Sequence, residues 1–179
     1  MKNKFNNLTM QQFNNKGFTL IELIVVFSVL AVLSTVGIAS FASYSRAQVL
    51  QQATNDLVNT LNTARVRAAS QTKPSQCLST SVLQGYSVTL NIAARTYSLN
   101  VICSGITTSL STTTLPVNVS FNSATGVPPT TATNIIYPVL TGGVSGAGNI
   151  VLSSYNQTKT ITITICPVGG IQVQNTVCN

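Results

Sequence analysis

Only two side chains in the chain carry a carboxylate, Glu22 and Asp56, and there is no His and no Trp. A paired-carboxylate acid/base site needs two acids brought to one place, and a His-dependent triad or metal site needs an imidazole. Neither can be assembled around a substrate from this set, so the chain is expected to be no enzyme and to carry no cofactor. The remaining reactive groups are four cysteines, Cys77, Cys103, Cys166 and Cys178, with no Cys-x-x-Cys spacing among them. That spacing argues against a zinc site built from thiolates, and no metal is expected. Structural, binding and assembly roles are what the composition leaves open.

The environment of Glu22 decides which elements must position it. From Phe18 to Ala42 the chain runs through twenty-five residues with Glu22 as the only charge. As a helix this run is ~37 Å long, enough to cross a hydrocarbon layer of ~30 Å. The preceding residues 1–17 are polar and hold Lys2, Lys4 and Lys16 without an acid. The positive-inside bias therefore keeps the amino end cytoplasmic and sends the chain beyond about residue 45 outward. A carboxylate costs about 2.5–3.5 kcal/mol at a bilayer centre and marks a functional position by default. Gly17, between the last leader lysine and the apolar run, suits a peptidase subsite that accepts no bulk. Cutting after it makes Phe18 the new terminus and leaves Glu22 four residues along the same helix face. There the carboxylate can pair with the terminal amine of a neighbouring subunit.

The segment Lys16-Gly17-Phe18-Thr19-Leu20-Ile21-Glu22 with its apolar continuation resembles the prepilin signal of type IV pilins and type II secretion pseudopilins. The resemblance implies that prepilin peptidase, in the cytoplasmic membrane, cuts between Gly17 and Phe18 and N-methylates Phe18. It places Glu22 at the fifth residue of the mature chain, the acidic position of the family, and implies assembly with other pilin or pseudopilin subunits. The seventeen-residue leader is longer than many in the family. A plain uncleaved anchor accounts for the length and the lysines but not for Glu22. A secretory signal peptide, with Ser40-Phe41-Ala42 as its cleavage site, requires a shorter apolar core without an acid.

Beyond the membrane segment, Val49, Ala53, Leu57, Leu61, Ala64 and Ala68 recur at three- and four-residue steps, the stripe of an amphipathic helix. Pro74 stops it, so one helix from Phe18 to near Ser70 is expected, its part over residues 43–70 lying against a sheet. From residue 71 to 179 the texture is that of short strands. Tyr86–Ile92 and Thr96–Ile102 flank Ala93-Ala94-Arg95 as a hairpin, and Pro116–Asn122 follows. Asn134–Leu140 reads as an edge strand because Pro138 cannot donate to a ladder. Ile150–Ser154, Thr160–Cys166 and Ile171–Val177 complete about seven antiparallel strands. Helix and strands together give an α+β class.

All four cysteines follow the membrane segment, on the side where thiols oxidise. Four cysteines allow three pairings. We favour Cys77 with Cys103, tying the loop after Pro74 to the first hairpin, and Cys166 with Cys178, which requires the tail to fold back past the last hairpin.

The strand region resembles the GspH/FimT-like group of minor pseudopilins and pilins on three stretches. These are Leu61 to Ala69 around Arg65 and Arg67, Leu115 to Gly126 around Phe121, and Thr160 to Val173 with Gly169-Gly170. Gly170 stands where a basic residue is commoner in the group. The resemblance implies a structural subunit of a type II pseudopilus or type IV pilus, or alternatively a DNA-binding minor pilin, since some FimT-like proteins bind DNA. Without the leader, six basic residues face two acids, and those six are scattered. Arg65, Arg67 and Lys73 are the nearest approach to a basic cluster. Phosphate-driven affinity needs clustered cations, so nucleic acid is not an expected partner.

Overall fold

The structure, a computed structural model, describes residues 17–122, 130, 133–154, 159–174 and 178, with the backbone alone for 35–40. Leader residues 1–16, the loop residues 124–126 and 128–129, and residues 175–177 at the end of the expected last strand lie outside the described residues. The chain divides into two compact units, Met1–Phe41 and Ala42–Asn179. Helix α1, Leu20–Ala69, contributes to both.

In the first unit, α1 presents apolar side chains all round: Leu20, Ile21, Phe27, Val32 and Leu33 are each about two-thirds exposed or more. Its hydroxyls are satisfied locally, Ser28 donating to the Val25 carbonyl and Ser34 to that of Leu30, both at 2.7 Å. Among the described residues, no helix is long and apolar enough to cross a membrane.

In the second unit the same helix becomes amphipathic. Leu50, Ala53, Leu57, Leu61, Ala64 and Ala68 are at most 2% exposed, with Val49 partly buried, while Gln51, Gln52, Asn55, Asp56 and Asn59 face out. Each buried leucine contributes about 1.5–3 kcal/mol. Thr54 is buried within the stripe, its hydroxyl bonded at 2.8 Å to the Leu50 carbonyl. The helix ends in a Schellman motif: Thr72 N–H donates to the Arg67 carbonyl, Gln71 N–H to that of Ala68, and Gln71 takes a left-handed φ of 52°.

Eight strands follow among the described residues: β1 (Leu83–Asn91), β2 (Thr96–Cys103), β3 (Ile106–Thr114), β4 (Val119–Phe121), β5 (Asn134–Pro138), β6 (Gly148–Ser154), β7 (Thr160–Ile165) and β8 (Ile171–Val173). They form two four-stranded antiparallel sheets, ordered β3-β2-β1-β5 and β4-β6-β7-β8. The α+β class and antiparallel pairing are those expected, and β5 lies at the end of its sheet as the proline requires. Two points differ: β4 keeps only Val119–Phe121 of the expected Pro116–Asn122, because the chain first turns, Val119 N–H donating to the Pro116 carbonyl at 2.9 Å, and β3 is not among the expected strands. Its sequence is almost all Ser and Thr, every residue is exposed or half-buried, and the apolar alternation that marks a strand is missing. Ser104 and Gly105, with φ of 49° and 82°, make the two-residue hairpin connection between Cys103 and Ile106.

One apolar cluster joins the helix stripe to both sheets, through Tyr86, Val88, Val101, Ile135 and Tyr137 on one and Phe121, Ile150, Leu152, Ile163 and Ile165 on the other. The segment between β5 and β6 ties the sheets to each other. Ser145 exchanges backbone hydrogen bonds with Ile136 of β5 at 2.8 and 2.9 Å, and Val144 N–H donates at 3.0 Å to the carbonyl of Pro167, in the turn between β7 and β8.

Candidate functional site

The N-terminal candidates sit at the mouth of α1. Gly17 and Phe18 precede the helix and are exposed, Phe18 at 79%. A Cβ at Gly17 meets nothing within 4 Å among the described residues, so the fold itself has no need of a glycine there. Thr19 is the N-cap: its hydroxyl accepts the N–H of Glu22 at 3.3 Å, and its carbonyl accepts that of Leu23. Thr19 and Glu22 thus have the Thr-x-x-Glu spacing of a capping box, and Glu22 lies in the first turn, where the helix dipole favours a negative charge. Sequence reasoning missed this local role, although the spacing announces it. The Glu22 side chain is exposed, surrounded by exposed Phe18, Ile21 and Leu23 on its own segment.

The basic candidates serve different partners. Lys73 donates its ammonium to the carbonyls of Ser79 at 3.0 Å and Ser81 at 2.6 Å, pinning the loop that precedes β1. Arg95 is similarly engaged, on the Val117 carbonyl at 2.7 Å. Arg65 and Arg67 are two apart on α1 and so face different ways. Arg67 acts on the phenol of Tyr86, whose pKa burial pushes up and the guanidinium pulls back; the Tyr86 hydroxyl donates to the Thr72 carbonyl at 2.5 Å. Arg65 acts on Tyr137, whose phenol burial drives up to about 12 against the pull of the guanidinium.

Arg65 and Ala68 of α1, Tyr137 and Pro138 of β5, and Gly142 and Gly143 line a cleft of about 120 Å³. Gly169, in the β7–β8 turn, lies beside Gly142 and Arg65. With φ of 81° it is already in the left-handed region, and a Cβ there would lie 2.8 Å from the Gly142 carbonyl oxygen and 3.4 Å from Arg65 Nε. Nothing in the sequence places these residues together; they come from four segments that only the stitched sheets make neighbours.

The structure pairs Cys77 with Cys103 and Cys166 with Cys178, the pairing favoured from the sequence, with Cα separations of 5.9 and 5.6 Å. In the β7–β8 ladder Ile165 faces Ile171 and Ile163 faces Val173, so a tail continuing in register would carry Cys178 away from Cys166.

Comparison with known proteins adds one match. The family model of the prokaryotic N-terminal methylation motif fits residues 12–38, which include Gly17, Phe18, Thr19 and Glu22. No curated protein and no solved structure matches the chain. The chain carries a type IV prepilin-like methylation motif at its amino end.

Proposed function

We propose that this chain is a structural minor pilin or pseudopilin of the GspH/FimT-like kind, a fibre subunit and not an enzyme. Residues 1–17 are a leader that prepilin peptidase removes at the Gly17–Phe18 bond, and the same enzyme methylates the Phe18 amine. Residues 18–42 hold the protein in the cytoplasmic membrane with the amino end inside and the disulfide-bonded domain outside. From there it is drawn into a type II secretion pseudopilus or a type IV pilus. The observation that carries this reading is the methylation motif over residues 12–38. Two details of the chain support it: a glycine at position 17 that the fold does not ask for, and an exposed Glu22 carboxylate on an otherwise apolar stretch. In a bundle of such helices the carboxylate of one subunit meets the terminal amine of the next, each offsetting the burial of the other.

Mass spectrometry of the protein from its native membrane tests the first step. A terminus at N-methylated Phe18 is expected, and a bulky residue at position 17 should abolish it. An intact Met1 or a start at Ser43 overturns the reading. For assembly, Glu22→Ala should still enter the membrane, because removing a buried charge favours insertion, yet fail to join fibres. Incorporation equal to wild type removes the pairing role.

A further inference from the structure

We propose that the cleft between the end of α1, β5 and the Gly142-Gly143 loop binds a carboxylate, with the Arg65 guanidinium as its counter-charge and the Tyr137 hydroxyl as a buried donor. Three observations converge on it. Tyr137 is 2% exposed, yet its hydroxyl has no hydrogen-bond partner among the described residues. A buried hydroxyl left unmade costs about 1–3 kcal/mol, which a protein rarely tolerates without a use. Arg65, exposed at the mouth, finds no hydrogen-bond or ion-pair partner among the described residues, whereas Lys73 and Arg95 are each bonded to carbonyls. Its guanidinium acts on the Tyr137 phenol and lies against Gly169, so cation, hydroxyl and cleft share one locality.

Size and charge then choose the ligand. A cavity of about 150 Å³ accommodates benzene, so this slightly smaller one takes a carboxymethyl or carboxyethyl head and excludes anything bulkier. Ala68 and Pro138 suit the methylene, and a guanidinium is matched to a carboxylate by its planar fork of donors. A helix C-terminus by itself repels anions. Here the carbonyls of Arg67 and Ala68 are already taken by Thr72 and Gln71, which leaves Arg65 as the charge that a ligand meets. Asp56, the side-chain carboxylate of the same unit, lies nine residues back on α1, about 13 Å along the axis, too far to fill the cleft. The carboxylate is taken to come from another molecule, as a small free acid or as an acidic side chain.

The test uses the full chain, isotope-labelled and held in a neutral maltoside detergent, with the Gly142 and Gly143 amide resonances followed as acetate replaces chloride at constant ionic strength. Saturable shifts are expected. Arg65→Gln should weaken binding at least tenfold, and Arg65→Lys less. Tyr137→Phe should weaken it several-fold without lowering the melting temperature, a split that a purely structural tyrosine does not give. A blocked glutamate amide serves as the second probe: tighter binding than acetate identifies an acidic side chain as the source, and the reverse order identifies a free acid, the site standing in either case. Shifts that do not saturate, that perchlorate reproduces, or that survive Arg65→Gln overturn the proposal.

Discussion

Tyr137 shows how one hydroxyl can work against the fold that holds it. Its ring fills the apolar cluster, but its oxygen gains nothing from burial. Tyr137→Phe keeps the ring and removes the unmade bond, so in chemical denaturation it should raise the unfolding free energy by about 1 kcal/mol. The pH dependence has a definite sign. The phenol is raised from 10 to about 12 in the folded protein, so the folded state binds the proton more tightly than the unfolded one. Its contribution is whole below pH 10 and is lost as pH climbs towards 12. Tyrosinate absorbance on a pH titration should show one phenol ionising last, and Tyr137→Phe should remove that final step. Arg65→Gln, by taking away the charge that pulls the phenol down, should move it higher still.

At the scale of elements, the sequence foretold most where a pattern met a buried face. The helix stripe over Ala53, Leu57, Leu61, Ala64 and Ala68 is a one-sided environment written as a period, and the alternation of Thr160–Ile165 puts its three isoleucines in the core. Strand β3 escaped because it is an edge strand whose side chains face water, and its Ser and Thr residues carry no such period. The N-terminal candidates were legible because their signal is a short contiguous motif. The cleft at Arg65 was not, since its lining comes from residues 65 to 143 and no local pattern records long-range neighbours. One element end invites improvement. Gln71 holds a left-handed conformation that costs a side-chain-bearing residue about 1–2 kcal/mol, so Gln71→Gly, after the entropy it returns to the unfolded chain, should stabilise by about 0.5–1 kcal/mol. Thermal unfolding measures it, and a lowered melting temperature would mean that the Gln71 side chain does something beyond turning the chain.

For the molecule as a whole, the disulfides and the stitched loop hold separate things. Cys77–Cys103 closes a separation of 26 residues and Cys166–Cys178 one of 12. On the chain-entropy account each contributes about 3 kcal/mol, the longer loop slightly more, so paired Cys→Ser replacements should rank in that order in chemical denaturation. Gly169→Ala should cost more than its size suggests, because a methyl there meets the Gly142 carbonyl and pushes apart the segment through which Val144 and Pro167 join the two sheets. A fall in melting temperature with both disulfides intact is the expected result.

That junction also sets the order of events in time. Arg65 and Gly169 become neighbours although about a hundred residues separate them, and topologies dominated by such distant contacts fold slowly. A nascent chain that has formed α1 and the first sheet still lacks β6, β7 and β8, so part of the helix stripe waits uncovered until the last hairpin arrives. Throughout that wait the uncharged outer edge of β3 is open to any passing strand. The turn at Pro167–Gly169 is thus the latch of the domain as well as a part of it, and the hazard of misassembly falls in the interval before it closes.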